Sequence, residues 1–120
     1  MEKKQRINTR VSAMIDTRII IDRQEIPVKT WNLSLRGMEC ATDSSFKEGK
    51  TCQVKFILSP KLNFIVQGKL LRVSPRETGI YFKMMDEDSF FHLKRLVQYN
   101  ADDPDKIDDE CAAAFHRQDP

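Results

Sequence analysis

"TCQVKFILSPKLNFIVQGKLLRVS", residues 51–74, is the stretch on which the fold turns. In its first part Cys52, Val54, Phe56 and Leu58 alternate with other residues and share one face of an extended strand. "PKLN" (60–63) supplies a turn, and "FIVQGKLLRVS" (64–74) resumes the extended run, with Gly68 marking a bulge or a bend. Two strands joined by so short a link form a hairpin.

The pattern repeats on both sides. Upstream, "VSAMIDTRIIID" reads as a β-branched strand that stops at the polar turn "DRQE". "EIPVKTWNLS" follows as one strand, with Pro27 at an edge, a bulge or the strand start. "GMECA" is short and closes on "TDSS", and "FKEGK" brings a glycine turn before residue 51. Downstream, "PRET" leads into "GIYFKMM". Six strands with short links predict a six-stranded antiparallel β-barrel rather than an α/β layer. The period then changes: "DEDSFFHLKRLVQYN" places Phe90, Leu93, Leu96 and Val97 at helical spacing, with Asp86, Glu87 and Asp88 at its start. That predicts a C-terminal α-helix packed on the barrel. "ADDP" ends it, and a weaker helix is expected from about Pro104 to His116. The domain plan is therefore a flexible arm over 1–10, a barrel with its helix over 11–100, and an acidic tail over 101–120.

The chain has 120 residues, 40% hydrophobic and 32% charged, which suits one soluble globular domain. No apolar run approaches the roughly 20 residues of a bilayer span, and "MEKKQR" leads into no apolar segment, so neither membrane insertion nor a signal peptide is expected. Cys40, Cys52 and Cys111 are odd in number and lack CxxC spacing. They point to a reducing, cytoplasmic setting, with Cys40 and Cys52 as core thiols. Net charge is only +2, but the tail holds seven acids against Lys106 and Arg117. Residues 1–100 keep 18 basic groups against 11 acidic ones, an excess of seven that attracts anions.

Catalytic signatures are missing. His92 and His116 with Cys111 form no zinc spacing, Ser, His and Asp stand in no triad context, and no P-loop or GxGxxG occurs. The chain reads as a non-enzyme with no metal and no cofactor.

Two short motifs carry chemistry instead. "RINTR" puts Arg6 and Arg10 four residues apart on one face of the arm. Each guanidinium is a planar fork that fits phosphate oxygens or the O6/N7 edge of guanine and can stack on a purine. Alone, the pair suits a solvated arm better than a site. "NLSLRG" offers the Asn32 amide and the Ser34 hydroxyl on one strand face. Gly37 there allows positive φ and close backbone approach. Alone, this suits a strand end whose polar side chains satisfy local backbone groups. Arg36 either adds charge beside a phosphate or is solvated; Lys3 and Lys4 raise the local potential. Trp31 is expected on the opposite face from Asn32, packed in the barrel.

Together, an RxxxR before the first strand and an NxSxxG at the end of the second resemble the PilZ family in content, order and separation. The likeness covers residues 6 to about 100. The resemblance implies a PilZ-like, split-barrel fold and a receptor for the bacterial second messenger cyclic di-GMP. It places Arg6 and Arg10 on the ligand's phosphates and guanine faces, Asn32 and Ser34 on a guanine edge, and Gly37 where the base needs room. A module without catalysis would signal by ordering its arm and presenting it to a protein effector, as a monomer or weak dimer. Motility, surface polysaccharide and attachment are the outputs the family suggests. Two other readings remain open: a ligand-independent PilZ-like adaptor, and an OB-type nucleic-acid-binding barrel. The second lacks aromatic residues interleaved with basic ones, so no nucleic acid is expected as partner.

Overall fold

The computed structural model describes Val11 and residues 15–100. Strands β1 (Asp16–Ile21), β2 (Gln24–Val28), β3 (Thr30–Leu33), β4 (Gly37–Ala41), β5 (Thr51–Ser59), β6 (Leu62–Val73) and β7 (Glu77–Met84) precede helix α1 (Glu87–Asn100).

The hairpin at residues 51–74 is the centre of the sheet. β5 and β6 pair antiparallel with Val54 opposite Val66 and Phe56 opposite Phe64. Cys52, Val54, Phe56, Phe64, Val66 and Leu70 all point into one core. The Phe56 ring stacks on Phe64 at 5.0 Å and meets Phe82 edge-on at 6.2 Å. Phe56 is fully buried, and truncating such a ring costs roughly 3–5 kcal/mol. Leu58 departs from the expected face. The register shifts between Ile57 and Ser59, which leaves Leu58 without a partner and exposed. Gly68 does sit at a bulge: a Cβ there would come within 2.9 Å of Ile80 Cγ2.

The strands form one antiparallel sheet in the order β2-β1-β5-β6-β7-β4-β3. Two expectations are corrected here. There are seven strands, not six, and no strand pairing closes the barrel among the described residues, because β2 and β3 are the two sheet edges. The cause is local. "EIPVKTWNLS" breaks at Lys29, whose carbonyl already accepts from the Ala41 amide at 2.8 Å, so the chain leaves β1 for β4 within one residue. Pro27, which cannot donate to a ladder, lies opposite Arg18 on edge strand β2. Edge strand β3 still meets β1, the neighbour of the other edge, inside: Thr30 Oγ1 donates to Thr17 Oγ1 at 2.9 Å in a buried contact. β1 turns into β2 through Asp22 and Arg23, both at positive φ (51° and 68°), as a two-residue hairpin with right-handed twist requires.

Helix α1 buries Phe90, Leu93 and Val97, as its spacing predicts, and lies against β6. Asp86 caps it by accepting from the Ser89 amide at 2.7 Å. That amide, with the Ser89 hydroxyl, holds the Asp86 carboxyl below its ordinary range. Among the described residues no helix is long and apolar enough to cross a membrane. Cys40 and Cys52 are buried core thiols. Burial pushes them up to about 12 and about 11, so neither is a thiolate near neutral pH.

Candidate functional site

Leu33 and Leu35 are both buried in the core. Asn32 and Ser34, alternating with them, therefore belong to the other side of the chain. Between β3 and β4 the chain turns in three residues. The Ser34 amide donates to the Gly37 carbonyl at 2.9 Å, and the Ser34 hydroxyl accepts from the Arg36 and Gly37 amides at 3.2 Å. The same hydroxyl is also placed to donate to the Gly37 carbonyl at 3.2 Å. Ser34 is thus tied into its own turn and is only 7% exposed.

Gly37 is needed for close approach and not for positive φ, since the only positive-φ glycine among the described residues is Gly49. A Cβ on Gly37 would stand 2.3 Å from the Ile80 carbonyl oxygen of β7. In the sheet Gly37 lies opposite Tyr81, and the Arg36 guanidinium carbon sits 6.0 Å over the Tyr81 ring. Arg36 is therefore held against an aromatic ring on the outer surface.

Trp31 does not pack in the core as expected. Thr30 pairs with Cys40 and Asn32 with Glu39, so Trp31 is the extra residue of a bulge and is 42% exposed. The bulge resets the pleat, which brings Trp31 out beside Asn32. Asn32 Nδ2 donates to Glu39 Oε1 at 2.9 Å, and Arg72 Nη2 donates to Glu39 Oε2 at 2.8 Å.

Glu39 and Arg72 were not marked by motif reading. Alternation in "GMECA" does put Glu39 outward between buried Met38 and Cys40, but nothing local ties it to a residue on β6. Arg6 and Arg10 lie outside the described residues. Val11, the next residue, is 5% exposed and exchanges two backbone hydrogen bonds with Leu33, each 2.8 Å. Leu33 is the residue between Asn32 and Ser34. Among the described residues no group of His, Cys, Asp and Glu could hold a metal ion. His92, the described histidine, stacks its ring on Phe64 at 5.6 Å.

Comparison with known proteins gives a consistent picture. The family model described as PilZ domain matches residues 4–99. Among solved structures, the PilZ domain with c-di-GMP of YcgR from Escherichia coli superposes with a TM-score of 0.66 at 15% identity, covering 95% of this chain and 99% of that one. The Bacillus subtilis inhibitor of motility MotI/DgrA gives a TM-score of 0.64 at 18% identity over 82% of this chain. This chain spans only 50% of the length of MotI/DgrA. The PilZ domain of CeSA from a cellulose synthesizing bacterium gives 0.60 at 18% identity, covering 74% of this chain and 94% of that one. At these identities the structural likeness speaks for the fold. No curated protein matches the chain.

Proposed function

Because the chain belongs to the PilZ domain family, we propose that it is a cyclic di-GMP receptor whose ligand sits across Arg6, Arg10, Asn32, Ser34 and Gly37. The observation that carries this reading is the pairing of Val11 with Leu33. Val11, the residue that follows the RxxxR motif in sequence, is thereby paired with the strand segment that bears Asn32 and Ser34. This pairing supports a reading in which the two motifs serve one site.

The roles follow from side-chain chemistry. Arg6 and Arg10 meet the two phosphates and the guanine faces with planar forks. Asn32 reads a guanine edge. Ser34 contributes chiefly by holding the turn, and it reaches the ligand by giving up one of its turn hydrogen bonds. Gly37 keeps the strand surface low, and Arg36, on Tyr81, adds positive charge. Binding then orders residues 1–10, and the ordered arm is the surface read by a protein effector. No step is catalytic, and no cofactor is needed.

Calorimetric titration with cyclic di-GMP, with GTP and single-stranded DNA as controls, is the direct test. Cyclic di-GMP alone should bind. Arg10→Ala and Arg6→Ala should each weaken it about ten- to hundredfold, the worth of a charge-assisted hydrogen bond. Unchanged affinity in the double variant would overturn the site. Binding of DNA alone would favour the OB-type reading, and binding of neither would favour the ligand-independent adaptor. Amide hydrogen exchange over residues 4–10 tests the relay: protection should appear only with ligand, and identical exchange in both states removes the switch while leaving binding intact.

A further inference from the structure

On the outer face of the sheet Glu39 of β4 and Arg72 of β6 lie on opposite sides of β7, each opposite Gly79. Gly79 leaves the gap through which they meet. A Cβ there would lie 3.4 Å from Arg72 Nη2, so the guanidinium passes directly over the glycine to reach Glu39. The ion pair occupies one carboxylate oxygen, and the other accepts from Asn32 Nδ2. An ionised carboxylate can only accept. The half of the Asn32 amide that faces Glu39 must therefore be its NH2 group, and its carbonyl oxygen is turned the other way. Among the described residues no donor reaches that oxygen.

Amide orientation matters for a purine ligand. The Watson–Crick edge of guanine carries N1–H and an amino group, both donors, whereas the corresponding ring nitrogen of adenine is an acceptor. An outward amide oxygen accepts from that adjacent pair of donors; an outward NH2 would set donor against donor there and could meet only the O6 acceptor at the end of the edge. Resting on the receptor reading above, we propose that Glu39, held by Arg72, is a positioning and specificity-determining residue: it fixes the Asn32 amide so that its oxygen selects a guanine edge over an adenine edge.

The test is a double-mutant cycle read in cyclic di-GMP affinity, with cyclic di-AMP as the competitor base. Glu39→Gln can donate as well as accept, so it frees the amide to flip. In the Asn32 background it should weaken cyclic di-GMP about tenfold, the scale of one hydrogen bond to a charged group, and narrow the margin over cyclic di-AMP. Asn32→Asp sets a second carboxylate against Glu39, and two such groups cannot both ionise cheaply. Its binding should be weak at pH 8 and recover as the pH falls and the pair takes up a proton. In that background Glu39→Gln should strengthen binding and remove the pH dependence, because an amide at position 39 can donate to the carboxylate at position 32. The same substitution thus changes sign between backgrounds, which no merely structural role of Glu39 would produce.

A second readout needs no ligand. The side-chain amide resonances of Asn32 in the free protein should shift as Glu39 titrates and in Glu39→Gln. Effects of one sign in both backgrounds, or amide resonances indifferent to Glu39, would overturn the proposal. If the wild-type protein binds no cyclic di-GMP, the receptor reading falls, and the amide resonances alone decide the orientation.

Discussion

Two turns in this molecule are built alike. Ser34-Leu35-Arg36 joins β3 to β4, and Ser74-Pro75-Arg76 joins β6 to β7. In each, the serine amide donates to the carbonyl three residues on, and the serine hydroxyl accepts from the amides two and three residues on. The serine and arginine of "NLSLRG" are therefore turn chemistry that the protein uses twice. What sets the first turn apart is its surroundings. Leu35 is buried where Pro75 is exposed, Arg36 leans on Tyr81 where Arg76 is exposed, and Gly37 stands where the second turn has Glu77. Both turns follow a bulge, at Trp31 and at Leu71, but only the first follows an asparagine held by a cross-strand carboxylate. The candidate site is a common turn in an uncommon setting.

The sharpest way to break this comparison is at the fourth position. Gly37→Ala drives a methyl into the Ile80 carbonyl, a backbone atom that moves only if β4 and β7 part. Overpacking of this kind costs about 3 kcal/mol. Glu77→Ala should stay within about 0.5 kcal/mol, as an ordinary surface change does. Urea unfolding of both variants measures the contrast. Equal losses would mean that the two turns differ less than their contacts indicate. The larger Gly37→Val should go further and also weaken ligand binding, which must then be measured on the fraction that remains folded.

The serines come next. Ser34→Ala and Ser74→Ala each strip two turn amides of their acceptor. With Ser34 buried, the expected cost is about 1–2 kcal/mol. At the more open Ser74 water replaces the hydroxyl, and about 0.5–1 kcal/mol should be lost. Only Ser34→Ala should also lower cyclic di-GMP affinity. A Ser74→Ala variant that binds less well would tie ligand affinity to overall stability and dissolve the distinction between the turns.

How much of this could be read beforehand depended on range. The alternation from Cys52 to Phe56, the helical face of Phe90, Leu93 and Val97, and the adjacency of Asn32, Ser34 and Gly37 are local patterns, and all appear in the fold. The breaks in pattern were not legible. Leu58, Leu71 and Trp31 are bulged residues, exposed because the partner strand skips them. No residue type at those positions announces the skip. Lys29 divides one apparent strand in two for the same reason: its new partner, Ala41, is chosen by the sheet and not by its neighbours. The Glu39–Arg72 pair needs the registers of β4, β6 and β7 at once. Even the role of Gly37 required the position of Ile80, because close approach and positive φ both call for glycine.

The smallest expected effect separates the two arginines. Arg36 has its guanidinium carbon 6.0 Å from the Tyr81 ring centre, and its carbonyl accepts from the Phe82 amide, so its backbone and side chain are both tied to β7. An exposed cation over an aromatic ring is worth about 0.5–1 kcal/mol. That restraint keeps the charge near the candidate site instead of sweeping solvent. Arg76 is exposed in the turn at the other end of β7. If the receptor reading holds, Arg36→Gln should reduce cyclic di-GMP affinity a few-fold at low ionic strength, and Arg76→Gln should leave it unchanged. Raising the salt should shrink the Arg36 effect, because a charge acting at a distance is screened over about 10 Å at 0.1 M, whereas a direct contact with a phosphate is screened far less. A salt-insensitive loss would place Arg36 in contact with the ligand. Equal effects of the two substitutions would show that only the overall charge of the domain matters, and that the setting of the first turn does not extend to its arginine.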